Sequence, residues 1–141
     1  MSTTMRADIT SGIATMMTAY VAANPTLVLR HYPSMPEALD NIPCTYLQRQ
    51  GEQVAFSNGV RVRTARVDIV LVSRLTVSGE TTALHDQTVD SLLEWFTLYP
   101  HVGGSSTVWD EMTIADEPAG PDNQFFATRF GFTISDGAGR N

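Results

Sequence analysis

The chain has 141 residues, a net charge of −6 and 43% hydrophobic residues, which fits one domain, residues 1–141, with its own core. Its single cysteine, Cys44, excludes an internal disulfide and a cysteine-rich zinc cage, so we expect a small buried hydrophobe there. No stretch approaches the roughly 20 apolar residues that a transmembrane helix needs. We therefore expect no membrane association, and a frayed tail at residues 136–141.

Charge is distributed unevenly along the chain. Residues 1–75 carry seven Arg against five acids, a net charge of +2, whereas residues 76–141 carry two Arg against ten acids, a net charge of −8. A protein that binds nucleic acid tightly needs clustered cationic side chains. The acidic half therefore suits a solvated face, or a surface along which DNA should not stick.

The first element predicted from the sequence is a helix over residues 5–22, ended by Asn24-Pro25. Its apolar residues recur at helical spacing and form one stripe: Ile9, Ile13, Met16, Met17 and Tyr20. A short strand over residues 27–30 follows. Pro33, Pro36 and Pro43 then predict an irregular crossing loop.

A β-hairpin is the clearest feature of the middle of the chain. We predict a strand over residues 44–49 and a turn at Gln50-Gly51. Residues 54–56 then fold back on residues 60–62 through a type I′ turn at Asn58-Gly59. The second β-rich run, residues 60–76, is nearly three times the mean strand length of about 5–6 residues. We therefore expect the hairpin to project beyond the sheet, with a bulge or bend near Thr64-Ala65 where the apolar alternation changes phase.

The second half of the chain predicts a helix over residues 83–98 and strands over residues 107–115 and 124–135. An acidic loop, residues 116–122, joins these two strands. The apolar stripe of the helix comprises Leu84, Val89, Leu92, Leu93 and Phe96. The predicted fold class is α+β: a mostly antiparallel sheet with a projecting β-hairpin, packed against two helices.

No residue constellation in the sequence specifies a reaction. The three histidines, His31, His85 and His101, lack the spacing of metal ligands. Asp110 and Glu111 are adjacent on a predicted strand, so they point to opposite faces and cannot act on one bond. We expect no catalytic residues, no metal site and no cofactor.

The order of elements resembles that of the tail terminator proteins of siphophages, which are small α+β subunits. The resemblance extends from residue 5 to residue 135. It rests on Leu-Val-Leu-Arg-His-Tyr-Pro at residues 27–33, Ile-Pro-Cys-Thr-Tyr-Leu at residues 42–47 and Thr-Ala-Arg-Val-Asp-Ile-Val-Leu-Val at residues 64–72. The helix that contains Leu92-Leu93 and the closing aromatic strand complete the pattern.

This resemblance implies a structural role without enzyme activity. Tail terminators form rings, typically hexamers, that cap the tail tube, stop its polymerisation and join the tail to head-completion proteins. The resemblance therefore implies a homo-oligomer assembled in the host cytoplasm and located in the tail or neck of the virion. Its implied partners are the tube protein and a head-completion or stopper protein, and DNA would pass through the channel without specific binding.

Two residue groups are candidates for that role. An interface between subunits could use the projecting hairpin, through Gly51, Phe56, Asn58, Gly59, Arg61 and Arg63. Four acidic residues could line the channel and repel DNA: Glu111, Asp116, Glu117 and Asp122.

Two other readings of the sequence remain open. The chain could be a different neck or tail-completion subunit, such as a head-tail stopper. It could also be a small α+β enzyme or ligand-binding domain with its pocket between the sheet and the helices.

Overall fold

The structure is a computed structural model that describes residues 5–38, 42–74, 80–99, 107–119 and 125–136. These residues form two helices and five strands. In chain order they are α1 (Met5–Ala23), β1 (Arg30–Tyr32), β2 (Cys44–Ser57), β3 (Val60–Arg74), α2 (Glu80–Leu98), β4 (Thr107–Ala119) and β5 (Phe125–Asp136).

The five strands form one sheet in the order β1-β2-β3-β5-β4. β1 is parallel to β2, and every other neighbouring pair is antiparallel. This arrangement confirms the predicted α+β class with a mostly antiparallel sheet. β3 lies at the centre of the sheet because its apolar residues can be buried on both faces.

Both helices pack on one face of the sheet, which we call the helix face; it carries Ile69 and Leu71. The opposite face, which carries Asp68 and Val70, is the open face. The main core lies between the helices and the helix face. Its buried residues are Ile9, Ile13, Met17, Tyr20, Val28, Leu47, Ala65, Val67, Ile69, Leu71, Leu92, Phe96, Phe130, Phe132 and Ile134. A smaller cluster on the open face contains Cys44, Tyr46, Val70, Val72 and Ala127.

The buried stripe of α2 differs from the predicted one. Leu92 and Phe96 are buried as expected, but Leu84 is 40% exposed and Leu93 is only partly buried. The N-terminal half of α2 instead buries polar side chains, His85 and Thr88. Apolar spacing missed these residues because hydrogen bonds compensate for their loss of water. The Thr88 hydroxyl donates to the carbonyl of Leu84 at 2.8 Å, and the two hydrogen bonds of His85 are described below.

β2 runs without a turn through Gln50-Gly51, so the predicted turn is wrong. A bulge stands there instead: Arg49 pairs with Val67 and Gly51 with Arg66, leaving Gln50 as the extra residue. Gly51 has a φ of +118°, a conformation that favours glycine.

The bulge that the sequence predicts near Thr64-Ala65 is absent from β3. Residues 64–74 pair with β5 without a shift in register. Arg61 and Arg63 share the helix face with Val67, so the apparent change of phase has another origin. The residues of β3 that precede Ala65 lie past the buried part of the sheet. Polar residues therefore occupy the helix-face positions there.

Other boundaries also differ from the sequence prediction. β1 is Arg30–Tyr32 rather than residues 27–30, and β4 continues through residues 116–119, which were predicted to be loop. Pro118 is tolerated in β4 because β4 is an edge strand. Asp122, His101 and the predicted tail from residue 137 onwards lie outside the described residues, whereas residue 136 belongs to β5.

Candidate functional site

The hairpin of β2 and β3 projects beyond the other strands. Asn58 and Gly59 have φ angles of 52° and 79°, the two positive values that a type I′ turn requires. β3 pairs with β5 only from Thr64, opposite Ser135, and β1 covers only the first three residues of β2. The predicted projecting hairpin is therefore confirmed, and we call residues 52–63 the arm.

The arm exposes apolar side chains on both of its faces. Phe56 is 76% exposed and Val54 is 45% exposed, both on the side of the helix face. Val60 and Val62 are 57% and 45% exposed on the other side. A cluster of large apolar side chains that the chain leaves in water is characteristic of a binding surface.

The base of the arm is tied to α1 through Glu52. Arg63 donates to Glu52 Oε1 at 2.6 Å, and Arg6 donates to Oε2 at 2.7 Å. Burial alone would raise the pKa of Glu52, but the hydrogen bonds from Arg6 and Arg63 outweigh burial and lower it. These contacts fix the direction in which the arm leaves the sheet.

The predicted interface residues thus differ in their availability. Phe56, Asn58, Gly59 and Arg61 lie on the exposed part of the arm. Arg63 lies on the arm too, but its guanidinium is engaged by Glu52. Gly51 stands at the bulge just before the arm. Position in the strand could not separate Arg61 from Arg63, because both point to the same face.

The predicted channel-facing acids do not share one surface. Glu111 and Glu117 lie on the open face, whereas Asp116 lies on the helix face, where its Oδ1 accepts a hydrogen bond from Thr128. Asp122 lies outside the described residues. Alternation along β4 separates Asp116 from Glu117, because they are consecutive strand residues rather than loop residues.

A polar network crosses four strands on the open face. Arg129 Nε donates to Glu117 Oε1 at 2.5 Å, and its Nη1 donates to Asp68 Oδ2 at 3.0 Å and to Gln48 Oε1 at 2.5 Å. Gln50 donates to Asp68 Oδ2 at 2.8 Å. Burial alone would lower the pKa of Arg129, but its hydrogen bonds to Glu117 and Asp68 raise it. The network joins β2, β3, β5 and β4, and no local pattern in the sequence predicted it.

Gly131 leaves space for this network. A Cβ at this position would lie 2.9 Å from Thr113 Oγ1 and 3.2 Å from Asp68 Oδ1. We therefore expect Gly131→Ala to lower the free energy of unfolding by about 1 kcal/mol, because overpacking must displace one of these side chains. Urea denaturation measures this change.

The control is a double-mutant cycle with Thr113→Ala, which removes the nearest atom. In that background the cost of Gly131→Ala should shrink. An equal cost in both backgrounds would show that Thr113 is not the obstacle.

His85 is buried at 2% exposure and fully hydrogen-bonded. Its Nε2 lies 2.7 Å from Thr128 Oγ1, and its Nδ1 lies 2.7 Å from Ser73 Oγ. Since Thr128 donates its hydroxyl proton to Asp116, it accepts from Nε2–H, and neutral His85 accepts from Ser73. Burial lowers the pKa of His85, although Asp116 and Asp86 act to raise it. This geometry makes His85 a structural residue of the core.

Within the described ranges, no group of three or more His, Cys, Asp or Glu side chains is placed to hold a metal ion. Neither described helix combines the length and the apolar character that crossing a membrane requires.

Comparisons with known proteins identify a shared fold. No protein-family model matches the chain, and no curated protein matches it. A solved structure described as the virion of a native gene transfer agent (GTA) particle contains a chain with a TM-score of 0.61. The two chains are 10% identical, and the match covers 95% of this chain and 98% of the other. This chain is therefore similar in fold, over nearly its whole length, to a chain of that particle.

Proposed function

We propose that this protein is a structural component of a virion that forms a ring on the tail tube. The ring ends polymerisation of the tube and joins the tail to head-completion proteins. The observation that carries the proposal is the fold shared over 95% of the chain with a chain of a virion. The element order, which resembles that of tail terminators, narrows the role to the tail or neck, and no enzymatic activity is proposed.

The arm supports this proposal because its large apolar side chains are exposed rather than packed in the described core. Phe56 is 76% exposed and does not pack in the core. At the base of the arm, Glu52 forms an ion pair with Arg6 of α1. A projection that exposes apolar side chains is suited to contact a different surface on a neighbour. Such heterologous contacts close into rings, and we propose a hexamer.

The acidic residues of β4 fit a channel through which DNA passes. Of the predicted acids on the described strand, Glu111 and Glu117 share the open face. We infer that the open face is turned towards the channel and that the helices lie outside. Because Arg129 pairs with Glu117, Glu111 is the residue that would supply net negative charge to such a channel and keep DNA from adhering to its wall.

A substitution in the arm tests this function. We expect Phe56→Asn to reduce assembly about tenfold or more, because an exposed aromatic anchor commonly dominates an interface. Its stability should be unchanged, since the side chain is not part of the core. Native mass spectrometry of the protein, alone and with tube protein, measures the ring.

Leu98→Asn is the matched control, because Leu98 is 66% exposed on α2 and is not part of the arm. It should assemble like the unmodified protein. A chain that stays monomeric in every condition, including with tube protein, would contradict the proposed ring. Retention of a small molecule by that monomer would support the ligand-binding alternative.

A further inference from the structure

We propose that the arm of one copy pairs, along the outer edge of β2, with the outer edge of β4 in a second copy of this chain. The sheet would then continue from one subunit to the next. This inference rests on the proposed function, because it names the two surfaces through which a ring would close.

The two edges lie at opposite ends of the same sheet. β1 pairs with β2 only at residues 44–46, and no described backbone group forms a hydrogen bond to the outer edge of β2 beyond them. β4 is the last strand at the other end, and no described strand pairs with its outer side. Unpaired edges of this length are templates for strand addition.

The direction of the strands fixes the kind of pairing. β3 is antiparallel to β2, β5 to β3, and β4 to β5, so β4 runs opposite to β2. A ring whose axis lies roughly along the strands keeps these directions in every subunit. β4 of one copy would therefore meet β2 of the next as an antiparallel pair.

The two surfaces carry opposite charge. The arm, residues 52–63, has a net charge of +1, from Arg61 and Arg63 against Glu52, whereas β4 has a net charge of −4. The acids of β4 are Asp110, Glu111, Asp116 and Glu117. This complementarity favours contact between unlike edges over contact between two copies of the same edge.

One register brings the exposed apolar side chains of the two edges together. It places Val54 opposite Ile114. Both side chains lie on the helix-face side of the sheet, where Val54 is 45% exposed and Ile114 is 44% exposed. Antiparallel pairing then sets Phe56 opposite Met112. It also sets Asp116 opposite Glu52, where Arg6 and Arg63 bind the Glu52 carboxylate and offset the approach of a second carboxylate. Pro118 lacks a backbone N–H and limits the paired segment of β4.

Cysteine cross-linking between two different single variants tests this register. Val54→Cys protein is mixed with Ile114→Cys protein, one of them tagged, so that the heterodimeric disulfide must join two copies. The native Cys44 is 0% exposed and should not compete. Under mild oxidation we expect about tenfold more heterodimer than with the control pair, because directly opposed strand residues have a Cα separation that suits a disulfide.

The control pair is Val62→Cys with Ile114→Cys. Val62 is also 45% exposed, but it lies on β3 and on the other face of the arm. A second in-register pair, Phe56→Cys with Met112→Cys, guards against failure of one variant to fold. Native mass spectrometry runs in parallel. Rings without preferential cross-linking would overturn the edge pairing and leave the proposed function standing, whereas absence of any oligomer would overturn both.

Discussion

We expect Phe96→Ala to lower the free energy of unfolding by about 3–5 kcal/mol, because the truncation leaves a cavity in the centre of the core. Phe96 is 3% exposed. Its ring makes edge-to-face contacts with Phe130 and Phe132, with centroids 5.4 Å and 5.0 Å apart. The substitution therefore removes buried area and two aromatic contacts between α2 and β5. Urea or thermal denaturation measures the loss.

Two neighbours on α2 provide controls for this prediction. Thr97 is exposed, and its hydroxyl only bonds to the carbonyl of Leu93, so Thr97→Ala should change stability little. Leu93→Ala should cost less than Phe96→Ala, because Leu93 is only partly buried. Equal losses at positions 93 and 96 would mean that the buried face of α2 is misassigned.

Acidification should destabilise the protein through His31. Its Nδ1 lies 2.8 Å from Thr45 Oγ1, and its Nε2 is buried with no hydrogen-bond partner among the described residues. A proton on Nε2 of the imidazolium would therefore be an unsatisfied buried donor. Burial accordingly lowers the pKa of His31 from 6.5 to about 4.

The sign of the effect follows from proton linkage. Between these two pKa values the unfolded chain binds a proton that the folded chain does not, so stability falls as the pH falls. We expect His31 to contribute a loss of about 2 kcal/mol on going from about pH 7.5 to about pH 5, and about 3 kcal/mol near pH 4. Urea denaturation across this range measures it.

His31→Gln isolates this contribution, because glutamine does not titrate. His85 also has a lowered pKa, but it is present in both proteins, so it cancels in the comparison of slopes. Between neutral pH and about pH 5, the variant should lose less stability than the unmodified protein. Identical pH profiles would show that folded His31 is free to take up a proton.

Local signals in the sequence predicted much of the fold. Asn58-Gly59 determines its own turn, because few other residues adopt two consecutive positive φ angles. The helical spacing of Ile9, Ile13 and Met17 indicated α1. These features depend on residues close together in the chain, so their spacing was sufficient.

Contacts between distant residues were beyond such reasoning. The sequence places Gln48, Asp68 and Arg129 far apart, and only the register of β2, β3 and β5 brings them together on the open face. In the same way, only the packing of α2 against β3 and β5 gives His85 its two hydroxyl partners. A polar residue inside a helix is predicted to face water unless its compensating partners are known.

The candidate arm shows the same division. Its composition and its turn were readable from the sequence by itself, including its arginines and the exposed Phe56. The tertiary structure decided the bulge at Gln50, the ion pair between Arg63 and Glu52, and which outer edges of β2 and β4 no described strand covers. The physical reason is strand pairing. The neighbouring strands determine which face of the sheet a side chain lies on and whether a backbone edge is hydrogen-bonded, and those strands come from elsewhere in the chain.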